Sequence, residues 1–92
     1  MRRVKILVSG IVQGVGYRHC AKNYAEEIGV YGYVKNLYNG DVEILAEGED
    51  SAVARMIAWS KEGPPGAEVN EQKIEEQIYI GDLQDFKVKF EW

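Results

Sequence analysis

The pair Asn39-Gly40, set between two alternating apolar runs, constrains the fold of this chain more than any other stretch. Both residues tolerate positive φ, so the pair reverses the backbone into a hairpin whose twist matches that of its strands. Tyr31 to Leu37 reads as the incoming strand. Val42, Ile44 and Ala46 alternate with Glu43, Leu45 and Glu47 in the outgoing one. Two registers are open. A three-residue loop with Gly40 left-handed sets Lys35 opposite Glu43 and Val34 opposite Ile44; a two-residue loop sets Lys35 opposite Ile44 and Asn36 opposite Glu43. The first matches charge with charge and apolar with apolar, so it is expected. It puts Asn36 on the face carrying Val34, Val42 and Ile44, the face that helices should cover.

The remaining elements follow from periodicity. Residues 2 to 9 alternate Val4, Ile6 and Val8 against Lys5, Leu7 and Ser9, a strand with two largely apolar faces and so an interior one. Residues 10 to 16 form a loop bearing Gly10, Gly14 and Gly16. From Tyr17, apolar positions at 17, 20, 21, 24, 25 and 28 lie on one helix face, and Gly29 ends that helix. Gly48-Glu49-Asp50 turns the chain, and Asp50 or Ser51 is expected to cap a second helix with Val53, Met56, Ile57 and Ser60 on one face. Gly63-Pro64-Pro65-Gly66 stops it. Val69 to Ile80 is extended, Gly81-Asp82 turns, and Phe86, Val88, Phe90 and Trp92 alternate in a short last strand.

Strand, helix, strand, strand, helix, strand is the ferredoxin-like βαββαβ pattern of an α+β sandwich. An antiparallel sheet with both helices on one face and a short extra C-terminal strand is expected, residues 1 to 92 forming a single domain. The first two strands then run parallel through a crossover helix, and their C-terminal ends share one edge of the sheet. The glycine loop follows the first strand and Asn36 ends the second. Two stretches far apart in sequence meet there.

The loop carries the chemistry. A helix start ordinarily has Ser, Thr, Asp or Asn as cap and acids in its first turn. This one has Gly16 and Tyr17, then Arg18 and His19. The helix dipole disfavours cations there. Bare amides with an Arg suit a bound anion of phosphate size. A neutral amide such as Asn36 both donates and accepts, so it can orient a water. A fixed phosphoryl group beside an oriented water points to hydrolysis.

Other chemistries are poorly supplied. The formal net charge is −4, which disfavours nucleic acid and acidic membranes as partners. RNA recognition on this strand order wants a basic, aromatic third strand, whereas Asp41 to Glu47 is acidic. One Cys and one His, Cys20 and His19, exclude an internal disulfide and a Cys/His metal site. Cys20 falls on the buried helix stripe as a structural thiol. Ser9 and Ser60 lack a suitable His partner, and Glu71, Glu75 and Glu76 read as a solvated strand face. The apolar run after Arg2-Arg3 is too short for a signal peptide or membrane span, so a cytoplasmic setting is expected.

Gly10-Ile11-Val12-Gln13-Gly14-Val15-Gly16-Tyr17-Arg18, with Gly32-Tyr33-Val34-Lys35-Asn36 and Gly40-Asp41-Val42-Glu43 downstream, resembles the acylphosphatase family. Ala46-Glu47-Gly48 and the Pro64-Pro65 region extend the likeness over essentially the whole chain. The resemblance implies metal-independent and cofactor-free hydrolysis of the carboxyl–phosphate bond of small acyl phosphates. By similarity, Arg18 and the amides of Val15, Gly16, Tyr17 and Arg18 bind the phosphoryl oxygens, and Asn36 orients the water. Inorganic phosphate or sulfate is expected as a site ligand, and a monomer is expected although the sequence leaves the oligomeric state open. Tyr17 stands where the family often has Phe, and Tyr38-Asn39-Gly40 where a turn often has Pro-Asp-Gly. Neither change removes a functional atom, but the Tyr17 hydroxyl needs a partner.

Overall fold

Alternation in the first strand dictates the layering. In β1 (Arg2–Ile11), Val4, Ile6 and Val8 are fully buried, while Lys5 and Leu7 between them are only partly covered. The buried face meets two helices, α1 (Tyr17–Ile28) and α2 (Asp50–Glu62). These touch each other through Tyr17 and Trp59, whose rings meet edge to face at 5.1 Å. β2 (Tyr31–Asn36) and β3 (Val42–Gly48) form the hairpin, and β4 (Glu68–Gln77) and β5 (Phe86–Lys89) complete the sheet. The computed structural model describes residues 1–90, so the expected continuation of the last strand to Trp92 lies outside the described residues.

The sheet order is β4-β1-β3-β2-β5. The first four strands pair antiparallel, with β1 and β2 on either side of β3 and hence parallel to each other. The hairpin takes the three-residue-loop register, Val34 opposite Ile44 and Lys35 opposite Glu43. Gly40 has φ 96°, a region that favours glycine. The core between sheet and helices joins Val34, Val42, Ile44 and Ala46 to Ala21 and Ala25 of α1 and Val53 and Met56 of α2. At about 25 cal/mol per Å² of apolar surface removed from water, each of the larger side chains contributes on the order of 2 kcal/mol.

Four local expectations are corrected. β1 runs two residues further, through Gly10 and Ile11, because a register shift between Ser9 and Gly10 keeps it paired with β4. At Gly10 (φ 130°) a Cβ would stand 2.1 Å from the Glu68 carbonyl oxygen, so the glycine there admits a neighbouring strand and not a ligand. Neither Asp50 nor Ser51 caps α2. The helix is entered from Glu49, which makes no side-chain cap bond, and Asp50 lies within the first turn. β4 stops at Gln77 instead of Ile80. Gln77 pairs with Arg3, and β1 begins at Arg2, so almost no partner strand remains. Cys20 is half-buried and not part of the core.

β5 lies at the far edge from β4 and pairs parallel with β2. Residues 78–85 therefore connect opposite edges of the sheet. Glu47, 2% exposed, accepts hydrogen bonds from the amides of Ile80 (3.3 Å) and Gly81 (3.4 Å) and pairs with Arg3 at 3.2 Å. That carboxylate is a post to which the connection is tied. Among the described residues, no helix is long and apolar enough to cross a membrane.

Candidate active site

The site is built where β1 ends and α1 begins. Gly14 and Gly16 both have φ 76°, and a Cβ at either would meet nothing within 4 Å. These glycines serve conformation in open space, unlike Gly10. Gly16 is the N-cap of α1, and its carbonyl accepts the first helical bond from Cys20 N at 3.0 Å. The amides of Tyr17, Arg18 and His19 precede that bond and so have no acceptor within the helix. No side chain caps them and no acid stands in the first turn. The positive end of the dipole is left uncompensated by the chain's own carboxylates.

Arg18 is half-buried and held in two ways. Its Nη1 donates to the Lys89 carbonyl oxygen at 3.3 Å. Its guanidinium carbon lies 4.8 Å from the centroid of the Phe90 ring. Lys89 of β5 and the Phe90 that follows it thus take one N–H and one face of the group, and other N–H edges remain available. Tyr17 points the other way. Its side chain is 2% exposed, and its hydroxyl donates to the Ser60 carbonyl oxygen at 2.6 Å. Burial pushes the phenol well above its ordinary range, so it stays a neutral donor joining α1 to α2. The Tyr17 hydroxyl, which needed a partner, therefore has one in α2.

Asn36 comes from the end of β2. Its Oδ1 is buried and has no hydrogen-bond partner among the described residues. An unpaired buried acceptor costs about 1–3 kcal/mol, so such an atom calls for an explanation. The residue Asn36 lines a cavity of about 190 Å³ together with Val12, Gly14, Gly16, Tyr17, Arg18, His19, Val88 and Phe90. That volume falls below the ~300 Å³ at which pockets for drug-sized ligands begin. The crossover topology has brought Arg18 and Asn36 to one small cavity, as their places at the sheet edge led us to expect. Val15, expected to contribute its backbone amide, is half-buried with its side chain packed against the core. His19, expected to face solvent, is exposed but also stands on the cavity wall.

Two contributors escaped sequence reasoning. Gln13 Nε2 donates to the carbonyl oxygens of Leu37 (2.8 Å) and Asp41 (2.9 Å), tying the loop to the hairpin just beyond Asn36. The same two residues close the hairpin through Leu37 N to Asp41 O at 2.8 Å. Val88 of β5 and Phe90 just after it supply a wall. Gln13 sits inside the glycine motif, so its position was visible although its acceptors were not.

An α+β sandwich with an anion-ready helix start facing an unpaired amide is the architecture of a small phosphoryl-handling protein. The acylphosphatase family model matches residues 4–88. An acylphosphatase of Acaryochloris marina is 42% identical over 85 residues, covering 92% of this chain and 90% of the relative. One of Methylococcus capsulatus is 43% identical over 88 residues, covering 96% of each. The crystal structure of acylphosphatase from Bacillus subtilis superposes with a TM-score of 0.92 at 34% identity, covering 97% of this chain and 99% of that one. The chain belongs to the acylphosphatase family, a family of hydrolases.

Proposed function

We propose that this chain hydrolyses the carboxyl–phosphate bond of small acyl phosphates, with Arg18 and the amides of Val15, Gly16, Tyr17 and Arg18 holding the phosphoryl group and Asn36 placing the water. The observation that carries this reading is that Asn36, whose Oδ1 is unpartnered, lines the same cavity as Arg18 and the uncapped start of α1. Family membership supports the reaction class.

The chemistry asks little of the protein beyond position and charge. The phosphoryl oxygens rest on the helix amides and the guanidinium edge, where developing negative charge is stabilised. Asn36 Oδ1 accepts a hydrogen bond from the water and turns its lone pair toward phosphorus. The water oxygen forms the new bond to phosphorus as the bond from phosphorus to the acyl oxygen breaks. The electron pair leaves with the acyl oxygen as a carboxylate, and the water proton passes to a phosphoryl oxygen. A carboxylate is stable as it departs and needs no protein acid. Among the described residues, none of those lining the cavity is an Asp or Glu, and His19 is the one side chain on its wall with the chemistry of a base.

The positive charge comes from Arg18 and the helix, so the proposed reaction is metal-independent. Inorganic phosphate and sulfate, with the same tetrahedral oxygens, bind as competitive inhibitors. One chain supplies every group named, so a monomer suffices. The test is release of phosphate from acetyl phosphate, with and without a chelator. Release above the uncatalysed rate in both supports the reading. No release by folded protein leaves an anion-binding module without catalysis.

A further inference from the structure

One titratable side chain on the cavity wall has no part in the hydrolytic scheme. His19 stands in the first turn of α1, at the third helical position after the Gly16 N-cap. A side chain at that position can reach back over the helix start, which is how a Glu or Gln there closes a capping box. In this helix the residue so placed is a histidine, and it lines the cavity with Arg18 and Asn36. It is exposed, and among the described residues no hydrogen bond or ion pair holds its ring.

Two roles fit a histidine there, and they differ in sign. A general base works as the neutral ring and is ordinarily oriented by a third group on its other nitrogen. His19 has no such partner among the described residues. A second cation works as the protonated ring, with both nitrogens as donors, and needs only to stand beside the anion. The position suits the second role, because the phosphoryl group is to rest on the very amides over which this side chain reaches.

The charges around the ring decide when it acts. On α1 they are Arg18, Lys22 and Glu26; across an adjoining pocket they are Asp85 and Lys87. Lys22 and Glu26 pair with each other at 3.8 Å. Asp85 and Lys87 are both exposed and opposite in sign. Asn36, from β2, is neutral. What remains unbalanced is Arg18 and the positive pole of the helix. A proton on His19 meets like charge in the free protein and opposite charge once a dianion is bound. Protonation and anion binding therefore favour each other, and by linkage they do so equally.

We infer that His19 is a further binding residue for the phosphoryl group, engaged as the imidazolium, so that anion binding at the start of α1 takes up a proton and strengthens as the pH falls. The inference rests on the anion cradle proposed above.

The probe is sulfate, which stays doubly charged throughout the range in which a histidine titrates, so a change with pH belongs to the protein. Titration calorimetry from about pH 8 down to about pH 5.5 brackets that range. Wild-type affinity should rise about fivefold, the scale of one charge-assisted contact at an exposed site. Midway, a pair of buffers of unlike ionisation enthalpy should report uptake of about 0.4 proton per sulfate, as linkage requires for a fivefold change. His19→Gln should lose both the pH dependence and the uptake. His19→Lys, cationic throughout, should keep the tight binding at either end of the range. Affinity independent of pH in the wild type, or a dependence that survives in His19→Gln, would overturn the inference and leave the cradle standing. So would a kcat for acetyl phosphate that rises with pH in the wild type and collapses in His19→Gln, which would make the ring the base. No sulfate bound by folded protein at any pH would overturn the cradle itself, and this inference with it.

Discussion

The two helices of this molecule begin in opposite ways and at opposite ends of the sheet. α2 starts after β3 with Glu49 at its N-cap and Asp50 in its first turn, and the Met1 amine pairs with Asp50 at 3.3 Å. Its positive pole is answered by the chain's own acids. α1 starts after β1 with a left-handed glycine, no acid in the first turn, and Arg18 where the dipole disfavours a cation. Neither helix has a side-chain cap, so capping is not what separates them. The difference is charge. One terminus is neutralised within the fold and contributes to stability alone. The other is left positive beside an unpaired amide acceptor, and local stability is given up for affinity toward an anion.

Substitutions can break or sharpen that contrast. Arg18→Ala removes the cation from the bare terminus and should lower kcat/KM by about 10³-fold, the scale of an arginine that stabilises a transferring phosphoryl group. Steady-state kinetics with acetyl phosphate and titration with inorganic phosphate check it; unchanged phosphate affinity would sink the anion-site assignment. Asn36→Ala removes the water's partner and should lower kcat about 10²-fold while phosphate affinity holds, because the amide touches the water and not the anion. Gln13→Ala leaves the Leu37 and Asp41 carbonyls without that donor. Each carbonyl keeps a backbone donor, Gly40 N for Leu37 and Leu37 N for Asp41, so the change should cost about 0.5–1.5 kcal/mol in chemical denaturation and about tenfold in kcat as loop and hairpin drift apart.

His19→Glu makes α1 resemble α2 by placing an acid in its first turn. It should stabilise the fold by about 0.3–1 kcal/mol while weakening phosphate binding several-fold, a trade that thermal denaturation and titration read separately. Stability and affinity rising together would contradict the account of the two termini. Asp50→Asn should do least, lowering stability by about 0.3–1 kcal/mol and leaving kinetics unchanged, because that terminus lies at the other end of the sheet from the cavity.

What could be read before the structure was whatever the sequence encodes locally or through topology. The hairpin register was legible because only one pairing matches Lys35 with Glu43 and Val34 with Ile44. The meeting of Arg18 with Asn36 was legible because a crossover puts the ends of two parallel strands at one edge. What escaped depends on partners that alternation does not name. Ile78 and Ile80 continue the parity of Ile74, yet β4 ends at Gln77 because β1 has nearly run out. The last strand alternates whichever edge it joins, so its seat beside β2, and with it Val88 and Phe90 at the cavity, could not be read from its residues. Gln13 offered a donor but no address, since its acceptors are backbone carbonyls that only the folded hairpin presents.

The central claim is that the bare start of α1 holds the phosphoryl group while water attacks phosphorus. Hydrolysis of acetyl phosphate in ¹⁸O-labelled water, with mass analysis of both products, tests it most directly. Attack at phosphorus puts the label in inorganic phosphate and leaves the acetate unlabelled, which is the expected result. Label in the acetate would mean attack at the carbonyl carbon, and would contradict both the cradle and the role given to Asn36.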